Sequence, residues 1–376
     1  MNVTNLTKKL VSIPSFVGQG FDEQKIGEFL YKFLKSLKNF AVIKQPVENN
    51  RFNIILKDKY PTKLLICAHI DTVQPKGNNA LKPRVRGEKL FGLGSTDMKG
   101  SLAALICALG KVQKTKGLML LLYVDEEYDF LGMKKFIDEY RSKINPKLII
   151  SADGYNLSIG NGCRGLIEIN FQVKGKTAHA SKPQNGKNAI LGSINAINEL
   201  KNIIEKYRDN MLGKTSCNLA YIQGGLDLGK GIGREGNNVA DIAEFVLDIR
   251  PADPKLNAKR VVEIFKSLIE KEGLKLINYK IRHDFGLWMT PKNKLKKVEK
   301  ITGKNYLGLG SFGFIDTQML WQVFNKVPSI TFGAGNLEMA HKENEYVFIP
   351  NLLKAEGKYS ALIHSFGGGE EEHGND

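Results

Sequence analysis

A series of short apolar runs in the first 153 residues restricts the fold more than any other feature of the chain. Runs that are apolar along their whole length, rather than at every second position, are typical of strands covered on both faces. Residues 22–37 place apolar side chains on one helical face, and residues 100–112 and 130–143 are further helix candidates between the later runs. This order predicts an α/β fold with helices on both sides of the sheet. The runs are FNIIL (52–56), KLLICAHI (63–70), GLMLLLYV (117–124) and KLIISAD (147–153).

Most of these predicted strands end in a histidine or an acidic residue, at the position where α/β sheets carry their ligand sites. Each such residue alone is weak evidence for a metal site, because a histidine beside an aspartate more often forms a structural hydrogen bond. Their repetition at successive strand ends predicts a site for a pair of divalent metal ions, with zinc preferred for histidine and carboxylate ligands. The candidates are His69 and Asp71 in HIDTV, Asp97 in GLGSTDMKG, Asp125, Glu126 and Glu127 in VDEE, Asp153 in SADG, and His341 in MAHKENEYV.

A different pattern begins near residue 165. Residues 167–174 and 243–250 alternate apolar and polar side chains, as expected of strands with one face in water. With helices at 188–208 and 255–272, they give a βαββαβ order that suits an antiparallel sheet covered by two helices. This order predicts an inserted α+β domain at residues 165–284. The catalytic domain would then comprise residues 1–164 and 285–366, followed by a disordered tail at 367–376.

Composition argues against several other classes of protein. The net charge of +16 comes from 45 lysines and ten arginines spread along the chain, without an arginine-rich stripe, which disfavours nucleic-acid binding. No apolar run approaches the roughly 20 residues that cross a bilayer, and the amino terminus lacks the apolar core of a signal peptide. Because the four cysteines show no paired spacing, a cytoplasmic protein with reduced thiols is expected.

Taken together, the motifs resemble those of the co-catalytic di-zinc hydrolases, the family of acetylornithine deacetylase, succinyl-diaminopimelate desuccinylase, aminoacylase and glutamate carboxypeptidase. They occur in the family's order and span nearly the whole chain, from LVSIPS (10–15) to AHKENEYV (340–347). The resemblance implies a parallel-rich mixed sheet flanked by helices, and it implies that the inserted domain is a lid or dimerisation domain of a homodimer. It also implies a cis peptide bond between Asp97 and Met98.

The resemblance implies two metal ions, each with its own ligands. One ion would be bound by His69, Asp97 and Asp153. The other would be bound by Asp97, Glu127 and His341, so that Asp97 bridges the pair. Zinc is the expected metal, with cobalt or manganese as alternatives.

Further roles follow from the same resemblance. Asp71 would orient the first histidine ligand, and Glu126 would be the general acid and base. His179, in KTAHASKP, would reach the reacting centre of the neighbouring subunit and stabilise the oxyanion. Asn238 and Arg250 match positions that read a substrate carboxylate. Asp125 is expected to cap or bond nearby backbone.

The substrate is the least specified part. Desuccinylases of the family carry an arginine in an SDxR motif, and Gln318 stands at the matching place in GFIDTQML. We therefore expect an N-acyl-amino-acid deacylase of the acetylornithine-deacetylase type, with dipeptidases, carboxypeptidases and desuccinylases as alternatives. A metal-free binding module is disfavoured because all five ligand positions and Glu126 are present. The expected partners are a small N-acyl amino acid or short peptide and a second copy of the chain, with neither nucleic acid nor membrane.

Overall fold

The computed structural model describes residues 2–37, 39–77, 79–112, 114–309 and 313–368. The helices are α1 (Val3–Val11), α2 (Gln24–Lys35), α3 (Lys99–Leu109), α4 (Leu131–Tyr140), α5 (Ala189–Ile204), α6 (Ala258–Lys271), α7 (Lys296–Thr302), α8 (Thr317–Val323) and α9 (Ile349–Gly367). The strands are β1 (Ala41–Glu48), β2 (Arg51–Lys57), β3 (Leu64–His69), β4 (Arg84–Arg86), β5 (Lys89–Phe91), β6 (Leu118–Tyr123), β7 (Leu148–Ser151), β8 (Gly162–Cys163), β9 (Leu166–Lys174), β10 (Arg208–Asp209), β11 (Gly213–Lys214), β12 (Ser216–Asp227), β13 (Ile232–Gly233), β14 (Ile242–Arg250), β15 (Lys275–Phe285), β16 (Trp288–Met289), β17 (Ser329–Thr331) and β18 (Tyr346–Phe348).

The chain divides into two compact units. Unit 1 combines described residues of Met1–Asn161, Thr290–Leu307 and Met319–Asp376, and unit 2 those of Gly162–Met289 and Gly308–Gln318. The segment Gly308–Gln318 thus groups with unit 2, although the sequence pattern places it in the second part of the catalytic domain. Helix α9 continues through Gly367, and residues 369–376 of the predicted tail lie outside the described residues.

Unit 1 is built on a mixed sheet whose described strands have the order β1-β2-β6-β3-β7-β17. Strand β3 pairs in parallel with β6 and β7, and β7 pairs in parallel with β17. Strands β1 and β2 join the other edge antiparallel. The four apolar runs form β2, β3, β6 and β7, which are buried almost throughout. The predicted parallel-rich α/β sheet is therefore confirmed.

Helices cover this sheet and complete the core of unit 1. Helix α3 is apolar on nearly every side and almost entirely buried, because it packs against α1 and α9 as well as joining the core cluster of the sheet. Such all-round apolarity is expected of a helix in the interior. The sequence pattern did not identify α1, in which Asn2 caps the first turn by accepting the N–H of Asn5.

Unit 2 has an antiparallel sheet of order β13-β12-β14-β9-β15. Its chain order β9, α5, β12, β14, α6, β15 confirms the predicted βαββαβ arrangement. Both helices share the core with the apolar face of the sheet, where the rings of Phe171, Phe245 and Phe265 contact one another. Tyr221 on β12 and Tyr279 on β15 are about half exposed.

Among the described residues, no helix has the length and apolarity needed to span a membrane.

Asn188 provides a test of how helix α5 is fixed in unit 2. Its side-chain oxygen accepts the N–H groups of Ile190 and Leu191, at 3.0 Å each. Asn188→Ala removes this cap and should lower the free energy of unfolding of unit 2 by about 1 kcal/mol. Asn195→Ala, in the middle of the same helix, is the control. It loses only an exposed hydrogen bond to Glu272, and the higher helix propensity of alanine should offset that loss.

Tryptophan fluorescence can isolate the unfolding of unit 2. The chain has two tryptophans, and only Trp288, which is fully buried, belongs to unit 2. Urea unfolding in a Trp321→Phe background therefore reports on that unit. Equal stability of the Asn188→Ala and Asn195→Ala variants would contradict the capping role.

Candidate metal centre and active site

Three neighbouring strands bring predicted site residues to one edge of the unit 1 sheet. His69 ends β3, the acidic turn 125–127 follows β6, and Asp153 follows β7. Because β3 pairs in parallel with both β6 and β7, these strand ends lie side by side. The carboxyl edge of such a sheet is where α/β proteins place their sites.

The first metal-ligand type group consists of His69, Asp97 and Asp153. All three are buried, and one ligand atom from each lies within 4.8 Å of the others. Nε2 of His69 is 3.1 Å from Oδ1 of Asp97. The other ring nitrogen, Nδ1, is 3.3 Å from Oδ1 of Asp71, which leaves Nε2 directed at the group.

The second group consists of Asp97, Glu127 and His341, again with ligand atoms within 4.8 Å. Nε2 of His341 is 3.1 Å from Oε1 of Glu127 and 3.4 Å from Oδ2 of Asp97. Asp97 therefore directs one carboxylate oxygen to each group. This is the geometry of a bridging ligand.

The donor atoms fit metal ions in both groups. Ligands about 2.0–2.2 Å from a tetrahedral ion stand about 3.3–3.6 Å apart, which is close to the 3.1 to 3.4 Å of the three contacts above. Three carboxylates gathered this closely at a mostly buried site would repel one another unless cations balanced their charge. The residues present are therefore suited to two divalent cations.

The pKa values of the two histidines also indicate a site suited to cations. The carboxylates of Asp97 and Glu127 raise the pKa of His341 to about 10. Burial acts to lower the pKa of His69, but its contacts with Asp71 and Asp97 outweigh burial and raise the pKa well above the ordinary value. Both histidines thus experience a strongly negative site, which favours a bound cation.

A loop, rather than a strand, carries Asp97, and Glu345 holds that loop in place. The buried Glu345 carboxylate accepts the N–H groups of Gly94, Thr96 and Asp97 at 2.9, 2.7 and 3.1 Å. The Asp97–Met98 peptide bond is cis, as the resemblance implied. Sequence reasoning did not single out Glu345, although it lies in the same motif as His341.

Tyr155 is a second contact of Asp97 that the sequence pattern missed. Its buried hydroxyl donates to Oδ2 of Asp97 at 3.1 Å. Burial raises the pKa of Tyr155, and the charges of Asp153, Asp97 and Glu126 act in the same direction. The tyrosine therefore remains a hydrogen-bond donor, and Glu126 is close enough to this site to act on it electrostatically.

The three acids after β6 occupy different environments. Asp125 is buried, the side chain of Glu127 is only 7% exposed, and Glu126 is partly exposed. The N–H of Glu127 donates to Oδ2 of Asp71 at 2.9 Å, so Asp71 contacts both His69 and the acidic turn. Asp125 accepts the N–H groups of residues 129 and 131, in line with the expected backbone role.

The remaining predicted residues belong to unit 2. His179 is exposed, and its backbone bridges that of Asn238. Arg250 lies at the end of β14, where its Nε and Nη2 bind Asp248 at 2.7 and 2.9 Å. Gln318 is buried in the same unit.

Two such groups sharing one aspartate are the arrangement of two-metal hydrolases, in which paired ions act on a single substrate bond. Residues 65–365 match the family described as Peptidase family M20/M25/M40. The chain belongs to this family and is an enzyme, a hydrolase of the peptidase type. The resemblance inferred from the motifs is confirmed.

Known relatives carry two kinds of description. A probable carboxypeptidase of Emericella nidulans is 34% identical, over 96% of this chain and 88% of the relative. An acetylornithine deacetylase of Buchnera aphidicola subsp. Schizaphis graminum is 25% identical, over 90% of each chain. The structure of an M20 family metallo-carboxypeptidase from Sulfolobus solfataricus has a TM-score of 0.76 at 16% identity, covering 98% of this chain and 100% of that one. At that identity the likeness shows the fold.

We predict that the protein binds two divalent ions and that His341→Ala binds one. The substitution removes a ligand atom from the second group and leaves the first complete. Elemental analysis after zinc loading and desalting measures the ratio of metal to protein. His364→Ala, which removes a histidine from helix α9, is the control and should keep both ions. A wild type that saturates at one ion would contradict the two-group assignment.

Proposed function

We propose that the protein is a two-zinc hydrolase that cleaves the amide bond of an N-acyl amino acid, in the manner of acetylornithine deacetylase. The observation that carries the two-metal part is Asp97, whose two oxygens are directed at two separate ligand groups. The likeness to an acetylornithine deacetylase supports the proposed substrate class. Zinc is the proposed metal because it accepts mixed histidine and carboxylate ligands. Cobalt or manganese are alternatives with the same donors.

Two bound ions would supply a water of lowered pKa and a Lewis acid for the substrate carbonyl. His69, Asp97 and Asp153 would hold one ion, and Asp97, Glu127 and His341 the other. The assignment is supported by the contacts of 3.1 to 3.4 Å within these groups.

Glu126 is the proposed general acid and base. Its carboxylate takes a proton from the attacking water and then delivers that proton to the leaving amine nitrogen. Two features support this role: Glu126 is partly exposed, and its charge acts on Tyr155 next to Asp97. Asp71 would fix the orientation of His69, because it stands 3.3 Å from Nδ1 while Nε2 faces Asp97.

Unit 2 is the proposed lid and dimerisation domain. Its exposed His179 would stabilise the developing oxyanion at the site of a neighbouring subunit. Asn238, whose backbone bridges that of His179, and Arg250 would bind the substrate carboxylate. The ion pair with Asp248 supports the last assignment, since it holds the guanidinium in one orientation before substrate binds.

Cleavage of a carboxy-terminal residue from a short peptide is the second candidate, and the 34% identity to a probable carboxypeptidase favours it. The two activities share one scissile group, an amide whose nitrogen belongs to an amino acid with a free carboxylate. They differ in the acyl side, which is a simple acyl group in one case and an aminoacyl group in the other.

Turnover of a substrate panel separates the candidates. The panel comprises N-acetyl amino acids, N-succinyl-diaminopimelate and dipeptides, each with added zinc or cobalt. We expect N-acetyl amino acids to be the best substrates. Preference for dipeptides would favour carboxypeptidase activity. A Glu126→Gln protein purified in parallel controls for contaminating hydrolases.

Changing Glu126 or its neighbour Glu127 to glutamine should affect metal content and turnover differently. Glu127→Gln removes a charged ligand and should lower metal content and, through it, activity. Glu126→Gln should keep both ions and substrate binding while turnover falls toward the upper end of about 10²–10⁴-fold, since one residue serves both proton transfers. Metal stoichiometry measured beside turnover distinguishes the two. Metal loss in Glu126→Gln with retention in Glu127→Gln would reverse the roles.

Subunit mixing tests the role of His179 across a dimer. His179→Ala and Glu126→Ala chains should each be inactive alone. After subunit exchange, a mixed dimer has one site with an intact Glu126 and an intact His179 from the other chain, so part of the activity should return. Exchange demonstrated by mass spectrometry without recovered activity would contradict the role in trans.

A further inference from the structure

A buried ion network lies directly behind the acidic turn. Arg51, at the start of β2, binds Glu23 through Nε and Nη2, at 2.7 Å to each carboxylate oxygen. Its Nη2 also donates to Oδ1 of Asp125. All three side chains are less than a tenth exposed. The bidentate geometry fixes the direction of the guanidinium as well as its charge.

Glu23 contacts the backbone of the turn in addition to the arginine. Its Oε1 accepts the N–H of Asp125 at 3.0 Å. Asp125 has a φ of +71°, in the left-handed region that is unfavourable for a residue with a Cβ. The network therefore holds Asp125 by its side chain and by its amide in a conformation that the chain would not favour alone.

The Asp125 side chain also binds the residues that follow the acidic turn. Its Oδ2 accepts the N–H groups of Asp129 and Leu131 at 3.1 and 3.2 Å. The next fixed point along the chain is Glu127, whose N–H donates to Asp71. Glu126 is thus the single residue between two anchored neighbours.

Stability alone is a poor explanation for this arrangement. Burying an ion pair commonly costs as much as the pairing returns, and apolar replacements are often neutral or stabilising. Here one guanidinium faces two buried carboxylates and, at 3.5 Å, the half-exposed carboxylate of Glu48. The buried carboxylates raise the pKa of Arg51 above its ordinary value, but burial still raises the pKa of Glu23 to about 7. A network that is expensive to bury but geometrically restrictive fits a positioning role.

We propose that Arg51 and Glu23 are positioning residues that set the backbone of the acidic turn and, through it, the place of the Glu126 carboxylate. Neither residue contacts substrate or metal in this scheme. The effect on catalysis rests on the function proposed for Glu126, whereas the effect on the turn does not.

Arg51→Lys and Glu23→Gln test the proposal. Arg51→Lys keeps the positive charge but loses the bidentate hydrogen bonds to Glu23, and Glu23→Gln keeps the shape of the side chain but loses its charge. Hydrogen–deuterium exchange of peptides covering residues 124–131 should become faster, by about tenfold or more, in metal-free and metal-loaded protein alike. Peptides from α9 and from unit 2 should be unchanged.

Turnover should fall in the same variants while both ions remain bound. We expect kcat to drop about 10–100-fold with KM within about twofold, since a small misplacement of a reacting group has effects of that size. Lys111→Met is the control: it breaks the ion pair between Lys111 and Glu356 on α9 and should change neither exchange in the turn nor kcat. In a Glu126→Gln background, Arg51→Lys should cause no further loss of turnover.

Several outcomes would overturn the proposal. Unchanged exchange at residues 124–131 would show that the network does not hold the turn. Faster exchange throughout unit 1 would assign it to global stability, and loss of metal would show that it acts through Glu127. A full further loss of turnover in the Glu126→Gln background would show that its effect does not pass through Glu126. If no panel substrate is hydrolysed, the proposed function fails, while the exchange measurement still decides whether Arg51 and Glu23 hold the turn.

Discussion

The parallel pairing of β3 with β6 and β7 is the constraint on which the site depends. Parallel strands end at the same edge of a sheet, so the residues that follow them meet there. The register places His69 opposite Tyr123, two residues before the acidic turn. It places Cys67 opposite Ser151, two residues before Asp153. If any of these strands ran the other way, its acidic residue would lie at the opposite edge of the sheet.

Asp97 must be positioned by other means, because it belongs to a loop. Glu345 restrains the loop through three backbone amides, and Tyr155 binds one oxygen of the Asp97 side chain. These contacts place further negative charge and burial next to an already acidic site. A carboxylate is tolerated in such a place when donors or cations satisfy it. The three amides offset part of the cost of burial for Glu345, whose pKa burial still raises to about 7, and bound cations would offset it for Asp97.

Local signals in the sequence predicted the sheet, the inserted βαββαβ order and the candidate ligand residues, and the family resemblance divided those candidates into two groups. Apolar runs, alternation and motif spacing are visible within about ten residues. Glu345 and Arg51 were missed because their partners are distant in the chain: Glu345 binds the amide of Asp97 across 248 positions, and Arg51 binds Asp125 across 74. Helix α1 was not predicted because it has only nine residues, fewer than the 11–18 over which helical periodicity is assessed.

The sequence by itself determined the types of element, the change of pattern near residue 165 and which ligand-type side chains follow the strands. Those properties depend on side-chain chemistry and period, which neighbouring residues carry. Only the tertiary structure decided how three adjacent acids differ. Asp125 is bound to a buried arginine, Glu127 faces His341, and Glu126 is held between them. The reason is physical: the state of a carboxylate depends on the charges and donors within a few ångströms, and folding brings those from distant parts of the chain.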